Sequence, residues 1–177
     1  MPKPTPHEPR LSRDLRTLLN TQRVAALGTR DEDGLPFVSM VPYALEPGRA
    51  CLVIHVSGLA AHTRNLQAAP QVSLLVMQAE VAGAPVHALP RVTLIGQATV
   101  LARDSAAWLD GRSAYLARFP EAEPMTQLGD FMFVAVHLAG ARQVAGFGAA
   151  RSLDADEVMS VLRPLHPLPW RPVRTGC

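Results

Sequence analysis

Short apolar runs separated by tight turns fill the first half of the chain, and their order limits the fold more than any other feature. Val24 to Thr29 reads as a short strand. Asp31-Glu32-Asp33-Gly34 is a strong turn signal, so the next run, Pro36 to Leu45, is the second arm of a hairpin. Glu46-Pro47-Gly48 turns the chain again, and Ala50 to Val56 is a third strand. Pro42 lies inside the second arm and lacks the N–H a ladder uses, which predicts an edge or a bulge there. Strands in hairpin order favour an antiparallel barrel over a parallel βαβ sheet.

The remaining elements follow from the same rules. Leu11, Leu15, Leu18 and Leu19 have helical spacing, with Ser12 as the expected N-cap of a helix to Gln22. A helix at 59–68 leads to a strand from Gln71 to Met77, and residues 79–90 read as a loop. Arg91 to Leu101 alternates as a long strand. Asp104 to Phe119 is a helix capped by Asp104 or Ser105, and Pro120 to Gly129 is acidic and irregular. Phe131 to Leu138 and Gln143 to Phe147 read as two strands around a turn at Gly140, before a last helix from Asp154 to Leu162. The chain thus divides into a flexible segment at 1–10, one domain at 11–163 and a proline-rich tail at 164–177. The expected class is mainly β with peripheral helices.

Composition excludes several functions. A net charge of +2 is too mild to argue for nucleic acid. No apolar stretch approaches the ~20 residues of a membrane helix. The polar, proline-rich N-terminus has no secretory h-region, so a cytoplasmic location is expected. Cys51 and Cys177 form no metal-binding pair. There is no G-x-S-x-G elbow, GxGxxG or P-loop.

The chemistry concentrates between Leu52 and Val76. There a strand ends at Ser57-Gly58, and His62-Thr63-Arg64-Asn65 crowd the first turns of a helix. Free N–H groups and the helix dipole make such a place receptive to anions, phosphate above all. His55, inside a strand run, reads as structural. Trp108 and Tyr115 read as core.

At this point the chain resembles the pyridoxamine 5′-phosphate oxidase-like split barrels that bind FMN. The resemblance rests on Pro36-Phe37-Val38-Ser39-Met40-Val41-Pro42-Tyr43, on Ser57-Gly58-Leu59 with His62-Thr63-Arg64-Asn65-Leu66, and on Arg91-Val92-Thr93-Leu94-Ile95-Gly96-Gln97-Ala98. Tyr115 to Pro120 and the loop Ala145-Gly146-Phe147-Gly148 extend it over residues 12–150. It is most similar to the HugZ-type haem-utilisation branch. The resemblance implies a six-stranded antiparallel split β-barrel that forms a homodimer with FMN at the dimer interface. The flavin phosphate would lie near Val38, Ser39, Met40 and Val41, near Ser57 and Leu59, and near His62, Thr63, Arg64 and Asn65. Arg91 would lie near the start of a strand that runs along the ring, and Phe147 could stack on the ring.

The residue types agree with that placement. Ser57 and Thr63 offer hydroxyls, Arg64 a fork and Asn65 an amide to a phosphate. Val38, Met40 and Leu59 could line a flat slot, with Ser39 and Arg91 at its edge. Two departures matter. Many of these oxidases carry an Arg in the second strand and a Lys in the helix; here the strand has no basic residue, and His62 stands in the helix. The basic and aromatic C-terminal segment that shapes a pyridoxal phosphate site also has no equal, which argues against pyridoxamine phosphate as substrate. The expected function is an FMN-binding oxidoreductase acting on a small molecule. The alternatives are a haem-binding or haem-degrading protein, with His166 able to reach haem iron, or a non-catalytic flavin or F420 carrier. An isolated monomer is expected to leave apolar residues of the strand at 131–138 exposed.

Overall fold

A computed structural model describes residues 8–163. The expected tail at 164–177, with His166, and most of the expected N-terminal segment lie outside the described residues. Seven strands and four α-helices run in the order α1 (Arg10–Thr21), β1 (Val24–Arg30), β2 (Pro36–Glu46), β3 (Cys51–Ser57), α2 (Ala61–Ala68), β4 (Gln71–Met77), β5 (Arg91–Val100), α3 (Ala106–Arg118), β6 (Phe131–Val144), β7 (Ala150–Asp154) and α4 (Ala155–Leu162). All pairings are antiparallel, in the order β3-β2-β1-β4-β5-β6-β7. A further β3–β6 pairing closes six strands into a barrel and leaves β7 as an extra strand. Mainly β architecture with a six-stranded antiparallel barrel is what the sequence reading expected.

Alternation sorts each strand into an inner and an outer face. Ala25 and Leu27, Val72, Leu74 and Val76, Val92 and Leu94, and Val134 and Val136 point inward and are buried. α1 closes the barrel with Leu15, Leu18 and Leu19, and α4 adds Val158, Val161 and Leu162. Tyr43 donates its hydroxyl proton to the Leu19 carbonyl (2.9 Å). Arg118 lies over the Tyr43 ring, 5.0 Å from its centroid, and donates to the carbonyls of Leu19, Asn20 and Gln22 that end α1.

Among the described residues, the outer face is covered on one flank only. α3 lays Trp108, Tyr115 and Phe119 over Phe133, Val53 and Ala44, a second core outside β2, β3 and β6. The outer face of β1, of β4 and of the first half of β2 has no such cover. Val24, Val38, Met40, Leu75 and Met77 stand exposed there, with Ile95 of β5 beside them. The bare flank is therefore not the strand at 131–138. Phe133 to Val136 are buried because α3 and the barrel interior sandwich them.

Several local expectations change. α1 begins at Arg10 with Pro9 at its N-cap, and Ser12 instead accepts from Arg151 Nη2 (3.2 Å). Of the two candidate caps of α3, Ser105 does the work, accepting from the Trp108 N–H (3.2 Å). Residues 120–127 form a 3-10 helix. Gly140 makes no turn: β6 runs unbroken from Phe131 to Val144. The register instead shifts between Ile95, which faces Gly140, and Gly96, which faces Leu138, so Ala139 is the extra residue of a β-bulge. A Cβ on Gly96 would collide with the His137 carbonyl oxygen, a backbone atom that cannot swing away. Gly96→Ala is expected to cost about 1–3 kcal/mol or more, while Gly129→Ala, which meets nothing within 4 Å, should be near neutral. Urea unfolding of both variants checks this.

Candidate functional site at the barrel split

The site forms where two strands part. β2 pairs with β1 from Pro36 to Pro42, but with β3 only from Tyr43 to Glu46. The Tyr43 N–H donates to the Arg23 carbonyl on the β1 side (3.2 Å). By alternation, Pro42, Met40 and Val38 turn their backbone groups the other way. The next rung toward β3 would join Pro42 to His55, and proline has no N–H to give. The ladder stops there. Pro42 thus sits at an edge, as expected, although β2 is central elsewhere. Past it, the N–H groups of Val38 and Met40 have no partner among the described residues.

α2 fills the gap. The Ser57 carbonyl accepts from Thr63 Oγ1 (2.6 Å) and from the Ala60 N–H (3.1 Å). Ser57 Oγ donates to the Asp130 carboxylate (3.0 Å) and accepts from the Leu59 N–H (3.2 Å). The Gly58 N–H donates to the Asp130 carbonyl (2.6 Å), an approach that a Cβ, 3.1 Å from that oxygen, would crowd. Asn65 Nδ2 donates to Thr29 Oγ1 (3.1 Å) and pins α2 to β1. On the β2 side, His62 Nδ1 lies 3.0 Å from Ser39 Oγ. Burial lowers the His62 pKa below 6.5, so the ring is neutral at pH 7. The first-turn N–H groups of Ala61 and His62 make no hydrogen bond among the described residues.

The split gathers Ser39, Ser57, Leu59, His62, Thr63, Arg64 and Asn65. Thr63 and Asn65 are buried, with their polar groups engaged inside the chain, and so brace the site from beneath. Val41 is buried in the barrel. Val38 (67% exposed), Met40 (65%) and Leu59 (80%) stand in the open. Arg64 donates to the Leu59 carbonyl (3.1 Å), which places its guanidinium at the turn. Arg91 faces Met77 across the β4–β5 ladder and donates to the Leu89 carbonyl (3.0 Å). Phe147 stands 78% exposed on the β6–β7 hairpin, between Gly146 and Gly148, both at positive φ. Sequence reasoning missed Asp130 and Thr29. The Gly129-Asp130 turn signal offered a hint of the first; nothing local pointed to the second.

Beside the split, Val24, Val38, Ser39, Met40, Leu75 and Met77 line an open groove of about 390 Å³. Its walls are side chains that no other part of the described chain covers. A second hollow, about 340 Å³, lies between α1 and the ends of β4 and β6, where Thr17, Gln78 and Gln143 share the lining with Leu18, Pro90 and Val144.

Comparison with known proteins matches this geometry. The family model for pyridoxamine 5′-phosphate oxidase fits residues 11–145. The chain belongs to that family. Within it, the chain sits in the HugZ-type branch. Heme oxygenase HutZ of Vibrio cholerae is 30% identical over 152 residues, 85% of either chain. A solved structure described as HutZ, the heme storage protein, superposes with a TM-score of 0.66 at 29% identity, over 72% of this chain and 89% of that one. The chloroplastic non-canonical heme oxygenase HOZ of Arabidopsis thaliana is 33% identical over 139 residues, 77% of this chain and 41% of that protein. A heme binding protein from Mycobacterium smegmatis superposes with a TM-score of 0.76 at 29% identity, over 87% of this chain. This chain spans only 62% of that protein. Among the described residues, no helix is long and apolar enough to cross a membrane.

Across the failed rung from Pro42, His55 lies buried among Phe133 (4.4 Å between ring centroids), Phe131 (5.0 Å) and Tyr115 (5.7 Å). Its Nδ1 has no partner among the described residues. Burial lowers its pKa from 6.5 to about 4. The unfolded chain therefore takes up a proton that the folded chain refuses, and stability falls as pH drops from 6.5 toward 4. The loss from this group is on the order of 3 kcal/mol. His55→Phe should flatten that part of the profile relative to wild type, which urea unfolding at pH 8, 6 and 4.5 would read.

Proposed function

We propose that the split and its bare apolar flank hold haem, and that haem, not FMN, is the principal ligand. The observation that carries this reading is the apolar groove of Val24, Val38, Met40, Leu75 and Met77. It offers a broad hydrophobic face beside a turn with one guanidinium. A flavin phosphate dianion asks for more positive charge than Arg64 and a neutral His62 supply. A porphyrin has a large apolar face and two singly charged carboxylates, and asks for less. The names of HutZ, HOZ and the mycobacterial protein support the same choice. Val38, Met40, Leu75 and Met77 would hold the ring, and Arg64 with the N–H groups of Ala61 and His62 would serve its carboxylates. Bound haem would supply an iron centre for storage or for oxygen chemistry.

A second reading keeps a specific observation in its favour. The free N–H groups of Val38 and Met40 on the open edge of β2 suit the polar rim of an isoalloxazine ring. An FMN-binding oxidoreductase, or a flavin carrier without catalysis, would use them. In either reading we propose a homodimer whose second copy covers more of the bare flank and completes the site. Size-exclusion chromatography at micromolar concentration should then give twice the mass of one chain.

Purified protein mixed separately with haemin and with FMN, then freed of excess, separates the two readings by absorbance. A retained Soret band, with FMN washed away, is the expected outcome. Retained flavin without retained haemin would replace this reading with the second. Val38→Glu should weaken haemin binding by about tenfold or more, because it sets a carboxylate against an apolar ring. Circular dichroism should be unchanged, since Val38 is exposed in the described chain.

A further inference from the structure

The described core contains no buried methionine; Leu, Val and Ile fill the barrel. Two of the methionines lie instead on the bare flank. Met40 faces Ala26 across the β1–β2 ladder, and Ala26 faces Leu75 across the β1–β4 ladder. Met77 stands two residues beyond Leu75, on the same side of β4. Both thioethers therefore line one groove, 65% and 46% exposed. Leu or Ile would serve packing equally well there and would not react with oxidants. A thioether is soft and open to attack once it meets solvent.

We propose that Met40 and Met77 form a reversible oxidation site that sets the groove's affinity for its apolar ligand. The oxidant class is a peroxide. The thioether sulfur gives an electron pair to one peroxide oxygen as the O–O bond breaks. That oxygen stays as the sulfoxide and gives up its proton, and the other oxygen takes up a proton as it leaves as water. Sulfur is oxidised and peroxide is reduced, with no further reactant. The sulfoxide is a polar, chiral group set in the middle of an apolar wall, and burying its dipole against an apolar ligand is costly. The inference rests on the haem reading, because it concerns the same groove.

The other described methionines differ in ways that make the test sharp. Met132 is partly buried, with its sulfur accepting from Gln67 Nε2 (3.7 Å). Met159 is partly buried against the core. Met125 is 42% exposed, but on the 3-10 helix at Pro120–Gln127, outside the groove.

The experiment uses the full chain with its thiols blocked. Limited hydrogen peroxide treatment is followed by peptide mass mapping, then by haemin titration. Oxidation of Met40 and Met77 should weaken haemin binding by about tenfold or more, and methionine sulfoxide reductases with a dithiol, which is oxidised to its disulfide as the sulfoxide oxygen leaves as water, should restore it. The Met125→Leu variant should lose affinity on oxidation as wild type does. Loading with zinc protoporphyrin, whose metal has no redox chemistry, should shield Met40 and Met77 but not Met125. Unchanged affinity in protein oxidised at both positions overturns the inference, as does a loss that Met125→Leu abolishes. Failure of untreated protein to retain haemin is a different result: it defeats the haem reading, and the inference with it.

Discussion

A missing hydrogen-bond donor organises this molecule. Pro42 stands where the ladder between β2 and β3 would place its next rung, opposite His55. Continuing the pairing there would bury a carbonyl with nothing to bond it. The strands diverge instead, and the barrel gains a slot along one seam. Everything at the site depends on that slot. α2 enters it straight from β3, Ser57 spends its carbonyl on Thr63 and Ala60, and His62 reaches across to Ser39 on the free edge. A residue with an N–H at position 42 would favour closing the ladder over His55 and pushing α2 outward.

The slot's electrostatics follow from what the surrounding residues already bind. Arg64 holds the Leu59 carbonyl and Arg91 the Leu89 carbonyl. Both guanidiniums help to fix loop shape. Burial holds the His62 pKa below its ordinary value, and its partner Ser39, a hydroxyl, brings no charge to offset this. Among the described residues the site thus offers oriented N–H groups, the Arg64 guanidinium and a His62 ring whose burial disfavours the charged form. A lysine at position 62 would set a second cation at the same helix start.

Much of the barrel is legible in the sequence, because local signals specify it. The Asp31–Gly34 and Glu46–Gly48 turns fix two hairpins, and strict alternation fixes β5. Closure is not legible: the β3–β6 pairing joins residues some eighty positions apart, and no local pattern encodes it. Gly140 misled for a physical reason. A glycine between apolar runs reads as a turn, but here it lies in β6 opposite Ile95, beside the bulge. β7 went unread because its five residues bury only Leu153. At the site, Ser39, Ser57 and His62 could be chosen by type and spacing. Thr63 and Asn65 could not be told from ligand contacts, since a hydroxyl or amide turned inward to Ser57 or Thr29 looks the same in sequence as one turned outward. Asp130 was marked only by its turn signal, because its partner, Ser57, is brought beside it by the long-range β3–β6 pairing.

The apolar pattern of β2 and β4 carries one more implication. A strand covered on one face alternates apolar with polar, whereas one covered on both faces reads as a continuous apolar run. Val38-Ser39-Met40-Val41 and Val72-Ser73-Leu74-Leu75-Val76-Met77, each broken by one serine, are closer to the second kind, yet the described chain covers only their inner faces. The other apolar flank, over β3 and β6, has its cover in α3. The asymmetry is one of supply: the described residues provide one outer helix for two apolar flanks. Leaving Val38, Met40, Leu75 and Met77 in water forgoes roughly 1.5–3 kcal/mol for each side chain that a cover would bury. A flat ligand in the groove and a second copy over the remainder would recover it together, and neither needs the barrel to change shape.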